Sequence, residues 1–293
     1  TVCTHNLYQE TMKSMQQGSN HHGEDSSAPK ATVLAVTSGK GGVGKTNITA
    51  NLALCLGQAN KKVLIADTDM SLANLDVLLN VNCKYNISHV LSGKKSIEQI
   101  IQTGPAGIEI IGGASGIENL ADLSPFHRER LLGEFSKLQS YADIMLIDTA
   151  AGISRSVMPF CLASDQVLVV TTPEATAMTD AYAMIKVLAS KNYQGRINLL
   201  VNMAFSLAEG KKVYQKISSV AMRFLNTHVY DAGTLLRDDK LLAAVRARQP
   251  VVLAHPKARI SSSIRELAAR LDQSCAENRQ KAGFFRKVVN WFF

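Results

Sequence analysis

No Cys-x-x-Cys pair occurs among the five cysteines (Cys3, Cys55, Cys83, Cys161 and Cys275), which are scattered along the 293-residue chain. This spacing excludes a cysteine-bound metal cluster and offers no disulfide framework, so the thiols read as reduced and mostly packed. No stretch approaches the roughly 20 uninterrupted apolar residues that a spanning helix needs. The first residues lack a basic start followed by an apolar run, and the sequence therefore predicts a cytoplasmic location. Charged residues make up only 19% against 46% hydrophobic, a globular balance that is enough for one large core with tails.

Acidic residues are scarce towards the end of the chain. Residues 237 to 293 hold twelve Lys/Arg against five Asp/Glu, so seven of the eight net positive charges sit in the last fifth. A basic end of this kind points to an anionic partner, either lipid or nucleic acid.

Residues 16 to 30 are polar and rich in Gly and Ser, and cannot bury enough surface to fold. They read as a flexible linker behind a short leading segment, Leu7 to Met15, whose apolar residues at 7, 8, 12 and 15 have the spacing of a docking helix. From Ala31 onward, short β-branched runs alternate with helical segments, the pattern of βαβ units in a parallel sheet. Strands are predicted at 32–37, 62–67, 107–112, 143–148, 166–171 and 196–202, each nearly continuous in apolar residues, as strands covered on both faces should be. Helices are predicted near 45–60, 124–140, 175–190, 206–226, 239–248 and 258–278. The expected organisation is a flexible segment over 1–30, an α/β domain with a mostly parallel sheet and helices on both sheet faces over 31–278, and an amphipathic helix over 279–293.

The run Gly39-Lys40-Gly41-Gly42-Val43-Gly44-Lys45-Thr46-Asn47 follows the first strand and opens a helix. That is the context of a P-loop: glycines let backbone N–H groups turn towards phosphate oxygens, at the positive end of a helix. Lys45 is expected on the β- and γ-phosphates of ATP and the Thr46 hydroxyl on Mg²⁺. A second strand ends in Asp67-Thr-Asp69, placing two acids on one side of an extended chain. A third, Asp143 to Asp148, ends in an acid followed by Thr-Ala-Ala-Gly152 and reads as a Walker B strand with a phosphate-sensing switch.

Lys-Gly-Gly-Val-Gly-Lys-Thr with its extra lysine resembles the deviant Walker A loop of the MinD/ParA ATPases. The resemblance covers about residues 31 to 272, and it implies an ATP-dependent homodimer in which Lys40 crosses to the partner's nucleotide. It further implies that Asp69 orients the attacking water, that Asp67 and Asp148 hold Mg²⁺ through water, and that Asn202 bonds adenine, the competing reading of Asn202 being a strand-end cap. Relatives carry a proline after the next strand, whereas Thr234 to Lys240 has none. Ser71 to Leu79, Asp148 to Ile153 and Pro173-Glu-Ala-Thr-Ala-Met-Thr-Asp-Ala-Tyr-Ala-Met-Ile-Lys186 are similar to the FlhG-type branch that regulates flagellar number. That branch implies an FlhF-type GTPase and a flagellar transcription activator as partners. The alternatives are a division-site ATPase of the MinD type or a DNA-partition ATPase of the ParA type, in which the basic end would meet DNA.

Phe284 to Phe293 contains five aromatics in ten residues, and on a helix Arg286, Lys287 and Asn290 share one arc. A wide apolar face with a basic border is the pattern of a helix lying in an anionic membrane surface, here residues 281–293 on the inner face of the cell membrane. Docking of the same helix on the protein's own core is the competing reading.

Overall fold

The computed structural model describes residues 30–69, 75–112, 133, 134, 137–277, 284, 287 and 288. The leading segment, nearly all of the linker, residues 71–74, most of the helix expected at 124–140 and most of residues 281–293 lie outside them.

Among the described residues eight strands form one sheet: β1 (Thr32–Ser38), β2 (Val63–Asp67), β3 (Ile101–Thr103), β4 (Glu109–Ile111), β5 (Ile144–Ala151), β6 (Gln166–Thr171), β7 (Arg196–Ala204) and β8 (Tyr230–Leu236). Their spatial order is β3-β4-β2-β5-β1-β6-β7-β8. All neighbours are parallel except β3 and β4, which pair antiparallel at one edge. β1 lies between β5 and β6, so the chain builds outward from it in both directions and leaves a crevice at its carboxyl end, where open α/β sheets bind ligands.

The helices are α1 (Lys45–Gln58), α2 (Leu75–Leu79), α3 (Ile87–Leu91), α4 (Ile97–Ile100), α5 (Met158–Ala163), α6 (Ala175–Ser190), α7 (Leu207–Leu225), α8 (Asp239–Arg246), α9 (Val251–Ala254) and α10 (Arg259–Glu277). They cover both faces because strand side chains alternate. Val33 and Ala35 of β1 enter one buried cluster with α5, α6 and α7, while Leu34 and Val36 enter the other with α1 and α10. Burying both faces is what makes the strand sequences nearly uniformly apolar.

The structure corrects the expected elements at several points. β3 and β8 were not among the six predicted strands, and the segment expected as a strand from 107 opens with a turn of 3₁₀ helix at Pro105–Gly107. Helix α1 stops at Gln58 and α8 at Arg246, short of the predicted ends, and a further turn of helix, α9, follows Pro250. The short helices α2 to α5 carry too few turns for an apolar period to show. Near the end of the chain, Phe284 (5% exposed) and Val288 (1%) are buried in the cluster on the α6 and α7 face, the packing that the docked reading of this segment expects.

Candidate nucleotide site

The loop between β1 and α1 is shaped by its glycines. Gly42 and Gly44 have φ of 78° and 90°, values that L side chains rarely adopt. A Cβ at Gly41 or Gly42 would meet nothing within 4 Å, so that stretch of backbone stands open to an incoming group. A Cβ at Gly39 would instead collide with the backbone carbonyl of Asp180 in α6. α1 starts at Lys45 with no side-chain cap and no acidic residue in its first turn. Its first N–H groups are thereby left for an anion, with the helix dipole aiding.

Beneath the loop, Lys45 Nζ lies 3.0 Å from Asp148 Oδ1, with the two side chains only 8% and 1% exposed. Thr49, one turn along α1, donates its hydroxyl to the same oxygen at 3.0 Å. Asp67 and Asp148 are register partners on β2 and β5. Thr68 ties the strands together beyond them by donating its N–H and its hydroxyl to the Asp148 carbonyl, each at 2.9 Å. Asp67 Oδ1 accepts the Asp69 N–H at 2.9 Å. Burial, and then the charge of Asp148, push the Asp67 carboxyl up to about 7. Two carboxylates and one ammonium in a buried crevice form a site with an unmatched negative charge, and a cation would relieve it.

Above them is a cavity of about 730 Å³. The glycine loop, Lys45, Thr46, Asn47, Asp69 and Asn202 line its polar side, and Leu235, Leu241, Leu242, Val245, Ile260 and Ile264 its apolar side. A polar floor with an apolar wall suits a phosphorylated ligand that carries a flat base. The lining fits ATP and Mg²⁺ on one further observation: Asn47 Oδ1 is buried without a hydrogen-bond partner, an acceptor left for a ligand N–H or an ion-bound water. A magnesium ion there would be held by one hydroxyl, water-bridged carboxylates and the ligand's own phosphates.

The residues expected at the site from sequence fall into two groups. Gly41 to Asn47, Asp69 and Asn202 line one cavity, with Asp67 and Asp148 beneath it. Lys40 stands apart: its Nζ is 2.8 Å from Glu174 Oε2 and 3.0 Å from the Thr176 hydroxyl, at the start of α6. Asn202 spends its Nδ2 on the Val43 carbonyl at 2.8 Å. The sequence reading missed Glu174 and Thr176 as partners of Lys40, and it missed Thr49. The last had a signal, since Thr49 lies four residues after Lys45 on one helix face.

Comparison with known proteins gives concordant matches. A family model described as AAA domain matches residues 31–203. Over 240 residues the chain is 38% identical to the antiactivator FleN of Pseudomonas aeruginosa, covering 82% of this chain and 86% of that protein. It is 37% identical over 265 residues to the flagellum site-determining protein YlxH of Helicobacter pylori, covering 88% and 90%. Among solved structures, MinD in the MinC:MinD cell division complex of Aquifex aeolicus superposes with a TM-score of 0.68 at 26% identity, over 83% of this chain and 96% of that one.

Proposed function

Because the chain belongs to the MinD/ParA-type family of AAA-domain ATPases, we propose that it is an ATP-switched regulator of flagellar number or placement that dimerises around nucleotide. The observation that carries this reading is the Lys45–Asp148 pair: a buried cation and a buried acid 3.0 Å apart under an open glycine loop. Lys45, which pairs with Asp148 in this structure, would hold the β- and γ-phosphates of a bound ATP, and Thr46, Asp67 and Asp148 would hold Mg²⁺, the hydroxyl directly and the two acids through water. ATP supplies the transferable phosphoryl group, and Mg²⁺ neutralises its charge.

Asp69 lines the same cavity, where it orients a water for attack. Gly41 to Asn47 hold the phosphates, with Gly39 packed behind them against Asp180. Asn202 leaves its carbonyl oxygen to accept from a base amine, and the Leu235 to Ile264 wall encloses the ring. Lys40 acts on the nucleotide of a second chain, and must leave Glu174 to do so. Phe284 and Val288 leave the core as residues 281–293 meet an anionic membrane surface, and pairing two such segments in a dimer raises their avidity. Three of the relatives' printed names support this reading: one is a flagellum site-determining protein, one an antiactivator, and one a MinD in complex with MinC. An FlhF-type GTPase and a flagellar transcription activator are the partners proposed here, with DNA disfavoured by the aromatic terminus. The 1–30, 31–278 and 279–293 division is part of the same proposal.

The direct test is ATP hydrolysis by the full chain with Mg²⁺, wild type against Asp69→Ala, with mass measured by light scattering. Slow turnover and an ATP-dependent dimer are expected in the wild type, with turnover lost and the dimer kept in the variant. An unchanged rate would remove Asp69 from the mechanism. In a flagellated host, loss of the gene should change the number of flagella per cell, and an unaltered number would sink the regulatory reading.

A further inference from the structure

The end of β7 is kinked. Met203 has φ of +57°, the left-handed region that non-glycine residues seldom occupy, and the pairing of β7 with β8 shifts register between Val201 and Ala204. Residues on either side of the kink part company. Asn202 is buried with its amide on the Val43 carbonyl of the phosphate loop, while Phe205 is 73% exposed. A methionine persists in such a conformation only where its surroundings hold it.

Arg237, the first residue after β8, supplies the hold. Its backbone N–H donates to the Ala204 carbonyl at 3.0 Å, and its Nε donates to the Met203 carbonyl at 3.2 Å. Its guanidinium lies 4.4 Å from the centre of the Phe205 ring. One residue thus grips three consecutive residues at the kink, Ala204 with its backbone and Met203 and Phe205 with its side chain. Asn202, Met203 and Leu235 line the nucleotide cavity and Arg237 does not, so Arg237 acts on the cavity through its neighbours, and its side-chain contacts are at the end of β7.

We propose that Arg237 is a positioning residue of the nucleotide site: by gripping the kink it holds Asn202 against Val43 and sets the shape of the phosphate loop. The inference rests on the nucleotide reading above. The link is stiff because the parts are close: a Cβ at Gly44 would lie 2.6 Å from Asn202 Nδ2 and 3.5 Å from Met203 Cε. A displaced kink has no slack to absorb its movement before it reaches the loop.

The test is a double-mutant cycle on Mg-ADP binding to the full chain, measured by titration calorimetry. Arg237→Ala and Asn202→Ala should each raise Kd on the order of tenfold, the effect of one hydrogen bond. The double variant should bind no more weakly than the worse single, because both changes break one linkage. In the Arg237→Ala background, Met203→Gly should recover most of the lost affinity, since glycine adopts this φ without a clamp. A residue acting on global stability alone would lower the melting temperature and give neither the non-additivity nor the rescue. Should Arg237→Ala fail to fold, Arg237→Lys enters the same cycle, keeping the backbone bond while losing the Nε one. Multiplying losses, an unchanged Kd in the Arg237 variant, or no rescue would overturn the proposal while leaving the nucleotide reading intact. A wild-type chain that binds no Mg-ADP would overturn both.

Discussion

Lys40 is held 2.8 Å from Glu174, a residue 134 positions further along the same chain. The pair is exposed, and the neighbouring lysine is what holds the Glu174 carboxyl below its ordinary range. Exposed pairs add little to stability and are easily exchanged, so this one suits a contact that must open. Glu174→Gln should leave the melting temperature unchanged and raise the fraction of ATP-dependent dimer at sub-saturating nucleotide, read by analytical ultracentrifugation. Lys40→Ala should bind nucleotide and stay monomeric.

Lys45→Ala strands a buried carboxylate. Removing one partner of a buried ion pair costs about 3–5 kcal/mol, and that loss should appear in chemical denaturation of the nucleotide-free chain. Adding Asp148→Asn should restore much of the stability without restoring nucleotide binding. Separating the two readouts distinguishes a lysine needed for the fold from one needed for phosphate.

The Asp67 carboxyl, raised from 3.8 to about 7, makes the nucleotide-free fold sensitive to pH. Between roughly pH 4 and 7 the folded chain keeps a proton that the unfolded chain has released, so this group's contribution is full in acid and is lost as pH rises through 7. Asp67→Asn should therefore raise the melting temperature at pH 8 and change it little at pH 4, measured without magnesium. A destabilised variant at pH 8 would contradict the assigned burial penalty.

The glycines of the loop should divide by mechanism. Gly39→Ala must push against the Asp180 backbone and should cost about 1–3 kcal/mol of stability. Gly41→Ala meets nothing and should leave the apo fold as stable as wild type, with any loss confined to nucleotide affinity. Paired thermal melts and binding isotherms check both.

A chain ending at residue 280 should lose co-sedimentation with anionic vesicles in ATP and also melt earlier, because Phe284 and Val288 leave the core. Equal sedimentation by both chains would remove the membrane role.

Much of this site was legible because it is local in sequence. The glycine loop, the acids closing β2 and β5, and the apolar runs that build the central strands each lie within a dozen residues, and parallel pairing stacks them without further instruction. β8 escaped because it is an edge strand with polar residues. Asp231 bends it by accepting the Gly233 N–H at 2.8 Å, and Gly233 has φ of 113°, so no apolar run announces it. β3 is three residues long and half exposed. The bond from Asn202 to Val43 spans 159 residues, and the Lys40 contact with Glu174 spans 134. Neither has a signature in the separation of its partners, since both depend on which strand ends the fold brings together.

The contact of Gly39 with the Asp180 carbonyl has a consequence for how such a chain can evolve. A helix on the far side of the loop dictates a residue in the phosphate loop, and it does so with its backbone and one Cβ, so as far as this contact goes side chains along the helix are free to drift while position 39 is not.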